Sequence, residues 1–266
     1  KVSLTSIDVS SFDTSNVTTM YNMFAFNTSL TEIIGLENFN TSKVTDMSSM
    51  FYRNLKLSQI DVSGFDTRQV TTMQAMFLNC RSLSSIDLKN FKTPKLTNMN
   101  NMFNMWYSGD GEYGNLKTID MSNFDTSNVT NMKDVFAANT NLEEIKGLEN
   151  FDTSKVTTMY HMFSRCNNLI KLNLCNFDTS QVTDMNKMFF GTTNLKKIYV
   201  GPNWTTSNAT TDNMFYNSGV SSVTQSNNCE YDAEDISVSL QTTTTTNSIT
   251  AVATASADSG IAKYEF

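Results

Sequence analysis

Large apolar residues return along this chain with a period near 26. The Phe that precedes a D-T-S-like tripeptide stands at Phe12, Phe39, Phe65, Phe91, Phe124, Phe151 and Phe177, in steps of 27, 26, 26, 33, 27 and 26. Leucines ahead of it keep the same step: Leu4, Leu30, Leu57, Leu83, Leu116, Leu142, Leu169 and Leu195. The chain therefore holds eight units, the last one degenerate. A longer period lies on top. Shifting the sequence by 112 places residues 4–51 on 116–163 with 32 of 48 identical, which points to a duplicated four-unit block. Self-similarity at a fixed period marks a stacked-repeat architecture.

Each unit opens on L-x-x-I-x-V, as in Leu4, Ile7 and Val9. Its second half alternates apolar and polar residues, as a short half-buried strand does. The segment F-D-T-S-x-V-T follows, a turn rich in Asp, Ser and Thr with inward Phe and Val. Then comes M-x-x-M-F. Met20, Met23 and Phe24 stand at i, i+3 and i+4, the spacing of one face of a short helix. The residue before the first Met is Thr19, Asp46, Thr72, Asn98, Asn131, Thr158 or Asp184, each a good N-cap. Three residues after the helix Phe stands a small polar column, Asn27, Asn54, Cys80, Asn139, Cys166 and Thr192. In a stack, such a column is expected to bond as a ladder to backbone groups of the neighbouring coil.

A single unit buries about six large apolar side chains, at roughly 1.5–3 kcal/mol each. Ordering 26 residues costs on the order of 1–2 kcal/mol per residue. A unit is thus stable only when neighbours cover both its faces. The expected fold is an α/β repeat solenoid, leucine-rich-repeat-like, with about eight units of strand, turn and short helix stacked in parallel over 1–222. Within it fall an insertion at 104–114 and a degenerate capping unit at 195–222, where Trp204 replaces the marker Phe. "IIGLENF" and "IKGLENF" each carry one extra residue with a Gly, read as a bulge beside the strand. A linker at 223–235 leads to 236–266, where Ile, Val and Leu alternate with Ser and Thr as in strands.

The stretch L-x-x-I-D-V-S-x-F-D-T-S-x-V-T-x-M-x-x-M-F resembles the 26-residue unit of BspA-like leucine-rich-repeat bacterial surface proteins over about residues 1–218. "SGIAKYEF" resembles part of a bacterial immunoglobulin-like or fibronectin type III-like module, here truncated. The first resemblance implies an extracellular location on a bacterial cell surface and a non-enzymatic binding or adhesion role. The expected partner is a host extracellular protein or glycan, or another cell. The alternative is a passive spacer that displays another domain of a longer protein. The first residues already lie inside a repeat, so the chain reads as part of something longer.

Composition narrows the classes. Net charge is −7, which argues against a nucleic-acid binder. No apolar run reaches 18 residues, so no membrane insertion is expected in this segment. A single His, His161, argues against His-based catalysis and His-rich metal sites; it is expected on the surface. No C-x-x-C pair occurs among Cys80, Cys166, Cys175 and Cys229, which read as structural. No catalytic residue, metal site or cofactor is expected. Two places can bind. The Asp after the strand Ile forms a row, Asp8, Asp61, Asp87 and Asp120. On parallel strands about 4.8 Å apart, such a row attracts a basic partner or a cation. The insertion carries Trp106, Tyr107 and Tyr113 around "GDG", and Trp and Tyr dominate binding hot spots.

Overall fold

The computed structural model describes residues 4–106 and 114–226, and the backbone strands within 236–263. The chain divides into two units, Lys1–Asn227 and Asn228–Phe266. The first is a parallel β-solenoid of about eight turns. Its short strands pair in parallel: β1 (Ser6–Asp8) with β2 (Glu32–Ile34), β3 (Thr118–Asp120) with β4 (Glu144–Lys146), and β5 (Lys171–Leu174) with β6 (Lys197–Val200), which also takes β7 (Thr224–Gln225). Coils 3 and 4 carry no strand at the corresponding positions, 57–62 and 83–88.

The expected short helix does not form. Among the described residues there is no α-helix, and the only helical elements are 3-10 turns at Leu36–Asn38 and Leu148–Asn150. M-x-x-M-F instead runs flat around the coil and bonds to its neighbour. In coil 1 the amides of Met20, Asn22, Phe24 and Phe26 donate to the carbonyls of Asp46, Ser48, Met50 and Tyr52, at 2.7–3.1 Å. Coil 2 repeats this toward coil 3, from Met47, Ser49, Phe51 and Arg53 to Thr72, Gln74, Met76 and Leu78. The residues read as N-caps, Thr19, Asp46, Thr72, Asn98, Asn131, Thr158 and Asp184, form a column of parallel bridges that continues to Thr210. Their side chains do accept a backbone N–H two residues on, as Asp46 does from Ser48 at 2.7 Å. The capping chemistry is present without a helix behind it. The flat path uses left-handed backbone twice in every coil but the fourth, which has it once, at Asn101. Ser49 and Arg53, Ala75 and Asn79, and His161 and Arg165 have φ of 54–60°. A segment of five to seven residues gains little from helix propagation. A neighbour that satisfies every second amide outweighs it.

Three side-chain columns close the stack. Phe24, Phe51, Phe77, Phe103, Phe136, Phe163, Phe189 and Phe215 form one continuous pile, with centroids 5.4–6.2 Å apart and planes within 12° of parallel. Each such contact adds about 0.5–1.5 kcal/mol beyond area burial. The Thr of F-D-T-S is buried in every coil from Thr14 to Thr179. Its hydroxyl is a clamp: Thr67 donates to the Lys92 carbonyl at 2.9 Å and accepts the Lys92 amide at 2.9 Å. The Asp beside it turns the chain, as Asp125 does by accepting the Ser127 amide and hydroxyl at 3.0 and 2.6 Å. The extra glycines are not bulges. Gly35 and Gly147 have φ of 85° and 86° and open the two 3-10 turns. A Cβ there would stand 2.5 Å from the backbone of Ser10 or Ser122 in the preceding coil.

The second unit contributes β8 (Ile236–Thr245), β9 (Ser248–Ala257) and β10 (Gly260–Lys263), antiparallel in the order β10-β9-β8. Neither their pairing nor their number identifies an immunoglobulin-like or fibronectin type III-like sandwich, which needs about seven strands.

Two stability changes follow. Ala75 has φ of 56°, so Ala75→Gly should raise stability by up to about 1 kcal/mol in chemical denaturation. In a helix the same change would cost about that much. Thr67→Val keeps the shape but strips both partners from Lys92. It should cost about 1–3 kcal/mol in the same measurement.

Candidate functional site

The acidic row lies on the strand side, but each Asp also serves its own turn. Asp8, Asp61, Asp87 and Asp120 accept the amides of Ser10, Ser63, Lys89 and Ser122 at 2.9–3.0 Å. The hydroxyls of Ser63 and Ser122 add bonds of 2.6 and 2.7 Å to the same oxygens. For Asp8, Asp61 and Asp120 the neighbouring Ser side chain, then its amide, holds the carboxyl below its ordinary range; for Asp87 the Lys89 side chain does so first. The row is continuous over coils 3 to 5, where the charge on Asp87 opposes ionisation of both Asp61 and Asp120. Asp8 stands apart, because coil 2 places Ile34 in register with it. The row ends where Asp120 faces Lys146. Lys89 lies across Asp87, with Nζ 2.9 Å from Oδ2.

Between coils 3 and 4, where the strand ladder lapses, a groove of ≈ 550 Å³ opens. Gln59, Ile60, Asp61, Ser85, Asp87 and Lys89 line it. Sequence reasoning found the two Asp and missed Lys89. The signal was there: coils 1, 3 and 5 hold Ser10, Ser63 and Ser122 where coil 4 holds Lys89.

On the opposite, turn side, Trp106 takes the ladder place of coil 4 and reaches past coil 5 to coil 6. Its ring stacks on His161 at 6.0 Å and 9°. The Arg165 guanidinium lies 4.4 Å from its centroid. Coil 5 leaves room with Ala137 and Ala138, both fully buried. Other coils put Tyr52 and Arg53, or Phe190, at those places. That pair of alanines was the legible footprint. His161 is therefore not a surface residue. It is 8% exposed, with Nδ1 3.3 Å from Asp134 Oδ1. Tyr107 and Tyr113 lie outside the described residues.

The small polar column bonds along the stack. Asn54 Nδ2 donates to the carbonyls of Phe24 and Phe51 at 2.9 and 2.7 Å, and Asn139 does the same to Phe103 and Phe136 at 2.7 and 2.9 Å. Asn27 reaches Phe24, and Thr192 reaches Phe189 and Ser218. The thiols of Cys80 and Cys166 point at the carbonyls of Phe51 and Phe136 at 3.0 and 3.1 Å. Burial pushes both up to about 12, so neither is a ready thiolate nucleophile. Cys175 is buried and forms no disulfide among the described residues, and Cys229 lies outside them. Among the described residues no group of three or more His, Cys, Asp or Glu is placed to hold a metal ion, and no helix is long and apolar enough to cross a membrane.

The depressed carboxyls set a pH dependence. Asp8, Asp13, Asp61, Asp66, Asp87, Asp120 and Asp152 all ionise more readily folded than free. Their contribution is complete above the unfolded Asp pKa of about 3.9 and is lost as pH falls through the lower folded values. Melting temperature should hold from pH 7 to 5 and fall below about pH 4. Asp61→Asn and Asp120→Asn, which keep the turn acceptor, should flatten that fall.

No curated protein and no solved structure matches the chain. A family model described as "Mycoplasma protein of unknown function, DUF285" matches twice, at residues 1–116 and 110–231. The two matches fall on the two four-coil blocks. With nearly all of the solenoid matched, the chain belongs to the DUF285 family.

Proposed function

We propose that this solenoid is a binding module displayed on a cell surface, and that it engages an extended, basic segment of an extracellular protein on its strand side. The observation that carries this reading is the groove between coils 3 and 4. There the strand ladder lapses, and Asp61 and Asp87 stand side by side in a lining that also holds Ile60, Ile86 and Lys89. The carboxylates stay ionised well into acid, because their turns hold them so. A half-apolar groove with fixed negative charge suits a chain that alternates Lys or Arg with apolar residues. The resemblance of the repeat to BspA-like surface proteins supports the extracellular location. No catalytic role is proposed.

A passive spacer is the second reading, and one observation favours it. Asp8, Asp61 and Asp120 each already serve their own turn, so the row has a structural reason to exist.

Solid-phase binding to a panel of matrix proteins, glycans and Lys-rich peptides separates the two. The binding reading expects retention that weakens with salt and drops at least tenfold in Asp61→Lys/Asp87→Lys. Folded protein that retains nothing above background, or binds equally well with both lysines in place, leaves the spacer.

A further inference from the structure

The two four-coil blocks share one frame, so a place where they differ in charge is one the frame does not require. The corner built by D-T-S-x-V-T is such a place. In coils 2–4 it carries Lys43, Arg68, Lys92 and Lys95 against one carboxylate, Asp66. Asn40 stands there where most coils put the turn Asp. The matching corner of coils 6–8 has Lys155 with Asp152 and Asp178. Ser180, Thr205 and Asn208 stand where coils 3 and 4 hold Arg68, Lys92 and Lys95. The clamps fix this correspondence, since Thr67 holds Lys92 as Thr179 holds Thr205. The bridge column beside the corner adds one carboxylate to each block, Asp46 and Asp184.

All four cations are exposed. Their backbone is held by the buried threonines, as Thr41 clamps Asp66 and Thr67 clamps Lys92. The Lys43 ammonium donates to Asn16 Oδ1 at 2.8 Å, and that of Lys95 to Gln69 Oε1 at 2.5 Å. These neutral acceptors orient the charge without cancelling it. Among the described residues Lys92 has no ion pair. Arg68 alone is offset, by Asp66, with bonds of 2.9 and 2.6 Å. Beside the cations run the exposed Thr45, Thr71 and Thr97. Each hydroxyl donates to a carbonyl of the preceding coil at 3.0–3.3 Å and keeps its oxygen as an acceptor.

We propose that this corner is a second binding surface, and that its ligand is a linear anionic polysaccharide bearing sulfate or carboxylate groups. Successive coils stand about 4.8 Å apart, so Lys43 and Lys95 are placed about 10 Å apart along the stack with Arg68 between them. An extended polyanion can follow that row, whereas a compact anion meets one or two of its charges. The hydroxyls and amides among the cations suit sugar hydroxyls. Other polyanionic surfaces fit less well. No aromatic side chain is exposed on this corner to stack a base, and the net charge of −7 works against nucleic acid. Val44, Val70 and Leu96 are buried, so a lipid surface gains little apolar contact.

Binding of the 266-residue chain to a heparin oligosaccharide tests this, beside phosphatidylserine vesicles and single-stranded DNA. Heparin should bind, more weakly as salt rises, and more tightly than either other probe. Lys92→Thr/Lys95→Asn gives coil 4 the residues that coil 8 already carries, and should weaken heparin binding about tenfold, the scale of two exposed ion pairs. Lys43→Gln, two coils away, should weaken it about threefold, an independent reading should the double variant fold poorly. Lys155→Asn/Lys196→Asn removes the same charge elsewhere and should change binding less than about twofold. Folded native chain that ignores heparin, equal losses in the two double variants, corner variants that bind as the native chain does, or vesicles or DNA bound as tightly as heparin would each overturn the proposal.

Discussion

Every second turn-side amide of coils 1 to 7 finds its acceptor in the next coil, and the rest of the structure follows from that dependence. The bonds from Met73, Ala75, Phe77 and Asn79 end on coil 4, not within coil 3. No coil can complete its own backbone bonding. Left-handed residues are tolerated because the ladder repays their strain, and the Phe pile keeps its spacing because the ladder sets the rise. The Thr clamp serves the same end from the other corner. Thr67 satisfies an amide and a carbonyl that belong to Lys92 in the following coil. The stability of any one coil is therefore a property of the pair, as expected of a quasi-one-dimensional stack.

Much of this was legible in the sequence. The period, the number of coils, the parallel stacking and the inward Phe, Met, Val and Leu positions all follow from recurrence, because recurrence is what stacking requires. The helix was not legible as absent. Met20, Met23 and Phe24 have helical spacing, and Thr19 has capping chemistry. Both features also fit a flat turn whose side chains point inward at the same intervals. The discriminating signal was weaker: Asn22, Asn101 and Asp134 two residues after the first Met, and Asn79, Gly191 and Asn217 six residues after it. These types are the ones that accept left-handed backbone most cheaply. Ala75, Arg53 and Lys187 at equivalent places blurred the pattern.

Candidate sites arise where the repeat cannot explain a residue. The Asp row was visible as a row, but its turn-forming role became plain only with the Ser63 and Ser122 bonds. The groove was hidden because the loss of strand pairing in coils 3 and 4 leaves no mark in the L-x-x-I-x-V pattern. Trp106 was visible as an aromatic of the insertion that breaks the period. Its partner, His161, was not, because the contact skips a coil and depends on Ala137 and Ala138 being small.

Amide hydrogen exchange in dilute solution tests the central claim most directly. If turn-side amides depend on the next coil, those of Met185, Lys187, Phe189 and Gly191 are protected. Those of Thr211, Asn213, Phe215 and Asn217, at the same motif positions but without an acceptor among the described residues, exchange at near-free rates. Equal protection of Phe215 and Phe189 would contradict the account, because it would mean that the segment satisfies its own amides, as a helix does.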